Sequence, residues 1–231
     1  MSCETFAETR DVDAYDVVVV GGGLAGLCAA ISAARSGART ALVHNRPVFG
    51  GNSSTEIRVP PAGAALHSPY ARETGIVHEL ITEDRARNHE PVGTGRANAV
   101  WDLVLYNAAR AEPKLDCYFN THIDRVECSH GRIEACLGIQ QGTELRWRLP
   151  GKVFIDATGD GVVALAAGAR ARCGQEARRE YGESLAPDEE WTHSLGSSLH
   201  FRARDTGAPA PFEPPAWAKT YPDEDSLRYR R

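Results

Sequence analysis

The residues with the clearest chemical signature are glycines. Gly21, Gly23 and Gly26 stand at the spacing G-x-G-x-x-G within Gly21-Gly22-Gly23-Leu24-Ala25-Gly26. Such a turn binds anions: backbone N–H groups at a helix N-terminus carry a partial positive charge, and glycines let a phosphate come close. The three glycines serve different ends. Gly21 makes the tight turn, Gly23 leaves room for a pyrophosphate, and Gly26 lets helix and strand pack closely. A second pair, Gly50-Gly51, is followed by Asn52-Ser53, and a third turn reads Thr158-Gly159-Asp160-Gly161. The spacing by itself is a weak signal and also suits a turn with no ligand, so the flanking elements decide.

Those elements are present. Tyr15-Asp16-Val17-Val18-Val19-Val20 is a β-branched run without alternation, which predicts a fully buried strand of a parallel sheet. The Ala-rich stretch after the glycines predicts a helix that closes at Gly37, and Thr40-Ala41-Leu42-Val43 predicts a second strand. Strand, glycine turn, helix and strand form the dinucleotide-binding unit. The carboxylate expected about 20 residues beyond the glycines, which would accept the ribose hydroxyls, is missing. His44-Asn45-Arg46 stands there instead. His44 or Asn45 offers a single hydrogen bond, and Arg46, with Arg39 nearby, suits a 2′-phosphate, which keeps an NADP-dependent dehydrogenase open as an alternative.

Side chains able to move a proton or clamp an anion are sparse. Arg58, His67 and Glu73 are the catalytic candidates, with Arg72 and His193 behind them; each also suits a surface or structural role. His78 is expected on a solvated face of a helix over 75–83, and Trp101 in the core of a helix.

The bulk composition agrees with a globular enzyme or binding domain. The chain has 231 residues, 42% apolar and 25% charged, with net charge −5. That is too apolar for a disordered chain, and the mild acidity gives no reason to expect nucleic acid or an anionic membrane as partner. No apolar run approaches the roughly 20 residues of a membrane span, and Met1–Asp13 lacks a secretory layout, so a cytoplasmic setting is expected. The six cysteines show no C-x-x-C spacing, which points to free, mostly buried thiols and predicts no metal site.

From Asp116 to Arg148 polar and apolar residues alternate in three pieces, about 116–126, 132–139 and 143–149, with turns at Ser129-His130-Gly131 and Gln141-Gly142. This predicts an antiparallel meander inserted in the parallel sheet. Val153-Phe154-Ile155-Asp156-Ala157 then returns as a buried strand into a short helix over 162–167.

With G-x-G-x-x-G, then Gly50-Gly51-Asn52-Ser53-Ser54, then Ala157-Thr158-Gly159-Asp160-Gly161 in order, and with Ala71-Arg72-Glu73-Thr74-Gly75-Ile76 between them, the chain resembles the FAD-dependent oxidoreductases of the two-dinucleotide-fold flavoproteins. The nearest branch includes the flavin subunit of heterodisulfide reductase. The resemblance covers about residues 14–170 well and the tail loosely. It implies an α/β fold: a Rossmann-like FAD-binding parallel sheet, the inserted meander, and the start of a substrate domain at the C-terminus.

By resemblance, the backbone of Gly21–Gly26 takes the pyrophosphate, and His44, Asn45 and Arg46 lie by the adenosine ribose. Gly50, Gly51, Asn52 and Ser53 follow the pyrophosphate and ribityl chain, His122 or Ile123 meets the adenine edge, and Ala157, Thr158, Gly159 and Asp160 close over the cofactor. Asp160 suits a helix N-cap equally well. Some relatives carry iron–sulfur clusters, which these cysteines do not support.

The expected domains are 14–170, binding FAD, and 171–231, part of a substrate or cap domain with a strand over 197–204. Residues 169–231 are too few for a substrate domain plus the strand and helix that return to the flavin in this group, so the chain reads as an N-terminal portion. That predicts weak FAD retention and association with a partner chain or with itself. Three functions remain: an FAD-dependent oxidoreductase acting on a small molecule, a nucleotide-binding fragment that needs a partner for catalysis, or the NADP-dependent dehydrogenase.

Overall fold

The computed structural model describes residues 8–61, 74–89, 98–193, 205–211, 213–223 and 226. The chain divides into two compact units, 1–196 and 197–231. The boundary expected near residue 170 falls inside the first unit, and the strand expected over 197–204 lies outside the described residues.

The elements of the first unit are β1 (Glu8–Asp11), β2 (Tyr15–Val20), α1 (Leu24–Arg35), β3 (Thr40–Val43), a 3₁₀ turn (Gly51–Ser53), α2 (Ile76–Arg87), α3 (Ala99–Arg110), β4 (Leu115–Tyr118), β5 (Thr121–Ser129), β6 (Arg132–Gln140), β7 (Leu145–Asp156), α4 (Val162–Ala166) and α5 (Arg178–Tyr181). They form one mixed sheet of order β4-β3-β2-β7-β6-β5, with β1 added alongside β7. The β4-β3-β2-β7 part is parallel, and β7-β6-β5 is antiparallel.

The β-branched run of β2 is buried on both faces, as its lack of alternation predicts. Val19 packs with Leu27, Ile31, Trp101 and Leu105 on the face covered by α1, α2 and α3. Val18 and Val20 pack with Ile123, Cys136, Leu149 and Val163 on the opposite face.

Two expectations are corrected. The first alternating piece is two strands: β4 belongs to the parallel sheet, paired with β3, and the meander begins only at Thr121. The third piece and the returning strand are one 12-residue strand, β7. Alternation reports which face is buried, not which neighbour a strand takes. The change of partner comes at Pro150-Gly151. Up to Pro150, β7 pairs with β6, and from Gly151 to Asp156 it pairs with β2. A proline without an N–H fits where one ladder gives way to another. Among the described residues, the other side of 151–156 has no strand partner.

In the second unit the described residues form turns and irregular backbone; Trp217 is exposed, and Lys219 lies 5.3 Å from the ring centre of Tyr221.

Candidate functional site

The C-terminal ends of the parallel strands open into a cleft of about 780 Å³. Its wall is built by five segments: the turn from β2 into α1, the end of β3, the loop carrying the second glycine pair, the start of β5, and the turn after β7.

The first glycine turn has the division of labour read from its spacing. Gly21 has φ +105°, and a Cβ there would lie 2.5 Å from the Ala157 carbonyl oxygen. A Cβ on Gly26 would lie 1.8 Å from the Gly21 oxygen, so this glycine serves packing, and it does not line the cleft. Gly23 differs from both: its backbone is extended, φ −63° and ψ 174°, and a Cβ would meet nothing within 4 Å. Its missing side chain therefore leaves open space in the cleft beside the start of α1. Gly23 is also the N-cap of that helix, with no side-chain cap and no acidic residue in the first turn. The amides of the first helical turn are left for an outside acceptor. An anionic group such as a pyrophosphate fits this cradle in charge and in space.

The second glycine loop rests against the first. Gly50 N–H donates to the Gly22 carbonyl at 2.8 Å, and Gly23 and Gly50 form an isolated parallel bridge. The loop is fixed from behind by α3. Trp101, fully buried as its sequence context predicts, donates from Nε1 to Ser53 Oγ at 3.3 Å, and Ser53 Oγ donates to the Gly50 carbonyl at 3.1 Å. Asp102 accepts from the Thr55 amide at 3.1 Å and from the Thr55 hydroxyl. Asn98 caps α3, accepting from the amides of Val100 at 3.0 Å and Trp101 at 3.2 Å.

Of the expected cofactor residues, Gly21, Gly22, Gly23, Leu24, Ala25, His44, Asn45, Arg46, Gly50, Gly51, Asn52, Ser53, His122, Ile123, Ala157, Thr158, Gly159 and Asp160 all line the cleft. The local chemistry of three differs from what the sequence suggests. His44 is 5% exposed and both ring nitrogens are engaged: Nδ1 accepts the Gly22 amide at 3.0 Å, so Nε2 carries the hydrogen and donates to the Val48 carbonyl at 2.9 Å. Its ring stacks on Phe49, and burial pushes its pKa below the ordinary value, outweighing the opposing effects of the Val48 bond and Glu56. His44 thus braces the first glycine turn and has no ring nitrogen left for a ribose hydroxyl.

Arg46 forms a two-pronged pair with Glu56, Nε to Oε2 at 2.9 Å and Nη2 to Oε1 at 2.7 Å. Its charge is matched locally, and a 2′-phosphate arriving here would meet a carboxylate. Asp160 does not cap α4, whose N-cap position is Gly161. That work falls to Thr158, whose hydroxyl accepts the Val162 amide at 2.9 Å, and to Asp156, whose Oδ2 accepts the Ala164 amide at 2.9 Å. Burial raises the Asp156 carboxyl, but the Thr158 hydroxyl and nearby amides outweigh it and hold it below the usual carboxylate range.

The catalytic candidates are not brought together. Arg58, at φ +67°, donates to the Thr55 carbonyl at 3.0 Å and does not line the cleft. His67, Arg72 and Glu73 lie outside the described residues, and His193 packs edge-on against Trp191. His78 is half-buried on α2. Of the cysteines, Cys136 is buried, Cys28 and Cys117 are half-buried, Cys128 and Cys173 are exposed, and Cys3 lies outside the described residues. Burial pushes Cys117 up to about 11 and Cys136 up to about 12, so neither is a thiolate near neutrality. Among the described residues no cluster of His, Cys, Asp and Glu is arranged to hold a metal.

Sequence reasoning missed Glu56, Ile57 and the Val59–Pro61 wall of the cleft. Glu56 sits two residues beyond the Gly50–Ser54 run, but only the folded loop brings it to Arg46.

A family model described as FAD dependent oxidoreductase matches residues 16–230. The soluble pyridine nucleotide transhydrogenase of Ectopseudomonas mendocina (strain ymp) is 50% identical over 142 residues, covering 54% of this chain and 29% of that protein. The fumarate reductase (cytochrome) of Shewanella frigidimarina is 58% identical over 41 residues, 18% of this chain and 7% of that protein. Among solved structures, the glycerol-3-phosphate dehydrogenase from Bacillus halodurans complexed with FAD matches with TM-score 0.46 and 17% identity, over 71% of this chain and 38% of that one. The chain therefore matches under a third of the length of either curated relative.

Proposed function

The chain belongs to the FAD dependent oxidoreductase family, and from that premise we propose that its cleft holds FAD for hydride exchange with a small organic substrate. The bound flavin supplies the hydride-accepting and hydride-donating centre; the protein supplies binding, orientation and electrostatics. Gly23 and the first turn of α1 take the pyrophosphate. Gly50, Gly51, Asn52 and Ser53 follow it toward the ribityl chain, and Thr158, Gly159 and Asp160 close the near wall. Asn45 and Arg46 lie by the adenosine, with His122 and Ile123 at the adenine edge, and His44 braces the Gly22 amide. Within the first compact unit residues 14–170 carry the FAD-binding function, and a substrate or cap domain begins over 171–231.

The observation that carries this reading is the empty space beside Gly23 at the uncapped start of α1. The Arg46–Glu56 pair favours FAD over a 2′-phosphorylated dinucleotide. Titration of the purified chain with FAD, followed by absorbance, tests the assignment: flavin binding that saturates at about one FAD per chain is expected. Stoichiometric NADP with no flavin would overturn it.

A partner chain or self-association belongs to the same proposal. Val153 and Leu165 are each 53% exposed, and the β7 edge at 151–156 lacks a strand partner among the described residues. Exposed apolar side chains beside an open strand edge favour association. The word "soluble" in the transhydrogenase relative's name supports a cytoplasmic setting.

A further inference from the structure

We propose that Glu56 supplies the carboxylate for the adenosine ribose that the end of β3 lacks, so that the ribose is recognised from the second glycine loop; this rests on the cleft being an FAD site. The position where a carboxylate is expected holds His44, whose two ring nitrogens are taken by the Gly22 amide and the Val48 carbonyl. The neighbouring cleft residue of matching charge is Glu56, whose side chain is 24% exposed.

Each Glu56 oxygen accepts one hydrogen from Arg46, at 2.7 and 2.9 Å. A carboxylate offers about four lone-pair sites, so each oxygen keeps a second position for a hydroxyl. The planar guanidinium also fixes the plane of the carboxylate, which reduces the ordering cost of meeting a vicinal diol. The pair is electrically balanced, so a neutral diol is accepted, while a phosphate on the 2′-oxygen is repelled by the carboxylate. A specificity device of this kind works by what it rejects as well as by what it binds.

The test uses the full chain freed of flavin, with ADP, 2′-deoxy-ADP and adenosine 2′,5′-bisphosphate competing against FAD. Wild type is expected to prefer ADP over 2′-deoxy-ADP by about tenfold, the worth of one charge-assisted hydrogen bond, and to bind the 2′-phosphate form more weakly still. Glu56→Gln should abolish the preference for the 2′-hydroxyl and improve binding of the 2′-phosphate form, with an unchanged melting temperature. Glu56→Asp, which keeps the charge on a shorter arm, should retain part of the preference, and His44→Gln should retain all of it. Loss of the preference in His44→Gln but not in Glu56→Gln would overturn the proposal. Wild-type FAD binding with no preference for the hydroxyl would overturn it too and leave the FAD site standing. Absence of FAD binding by wild type would overturn both.

Discussion

Helices α1 and α3 are each 12 residues long and flank parallel strands of the same sheet, yet their N-termini are finished in opposite ways. α3 is closed by its own chain. Asn98 takes two first-turn amides, and Asp102 in the first turn holds Thr55. α1 begins at a glycine with no side-chain cap, and beside that glycine is open space. A capped start contributes to stability and anchors a neighbour, whereas an uncapped start keeps its amides and partial charge for a ligand. The two helices thus divide the work: α1 presents the open, uncapped end proposed to receive an anion, and α3 fixes the loop that forms the other wall. The contrast extends to the glycines, since Gly26 serves the packing of α1 and Gly23 serves its open end.

Four measurements test this division. The largest effect is expected from Gly26→Ala, whose Cβ would lie 1.8 Å from a backbone oxygen. Helix and strand must separate, at a cost of about 3 kcal/mol or more, read as a lower denaturation midpoint. Gly23→Val should do the reverse: an extended backbone and empty surroundings leave the melting temperature nearly unchanged, while FAD affinity falls by about 100-fold as the side chain fills the position proposed for the pyrophosphate. A variant that keeps stoichiometric flavin would break the comparison at its centre.

Asn98→Ala removes the cap of α3 and should cost about 1 kcal/mol of stability. Its effect on FAD affinity should be smaller than that of Gly23→Val, because the second glycine loop keeps its Trp101 and Asp102 contacts.

The smallest effect is pH-dependent and comes from His44. The unfolded imidazole titrates near 6.5 and the folded one lower, so the unfolded chain binds more protons between the two values. The stability contribution is full above 6.5 and is lost as pH falls through that window. Protonation of Nδ1 also removes the acceptor of the Gly22 amide, so the first glycine turn should loosen with it. His44→Gln, which can accept at one end and donate at the other, should flatten this part of the stability–pH curve. An unchanged acid limb in that variant would show that His44 is not the group responsible.

The sequence by itself determines the local units of this protein. The valine run of β2, the spacing of Gly21, Gly23 and Gly26, and the alanines of α1 dictate strand, turn and helix. Each rests on backbone sterics or on burial within a few residues, so the space around the three glycines can be read from their spacing: tight at Gly21 and Gly26, open at Gly23. Tertiary structure decided whatever depends on a partner far along the chain. β4 joined the parallel sheet and β7 ran on through Pro150, because alternation encodes a buried face and not the identity of a neighbour. Thr158 and Asp156 took the capping role open to Asp160, because an acceptor must lie where the amides point. His44 turned inward, and Arg46 met a carboxylate ten residues on. Hydrogen-bond partners are chosen by the path of the loops in space, and a cleft built from five separate segments takes its chemistry from that path.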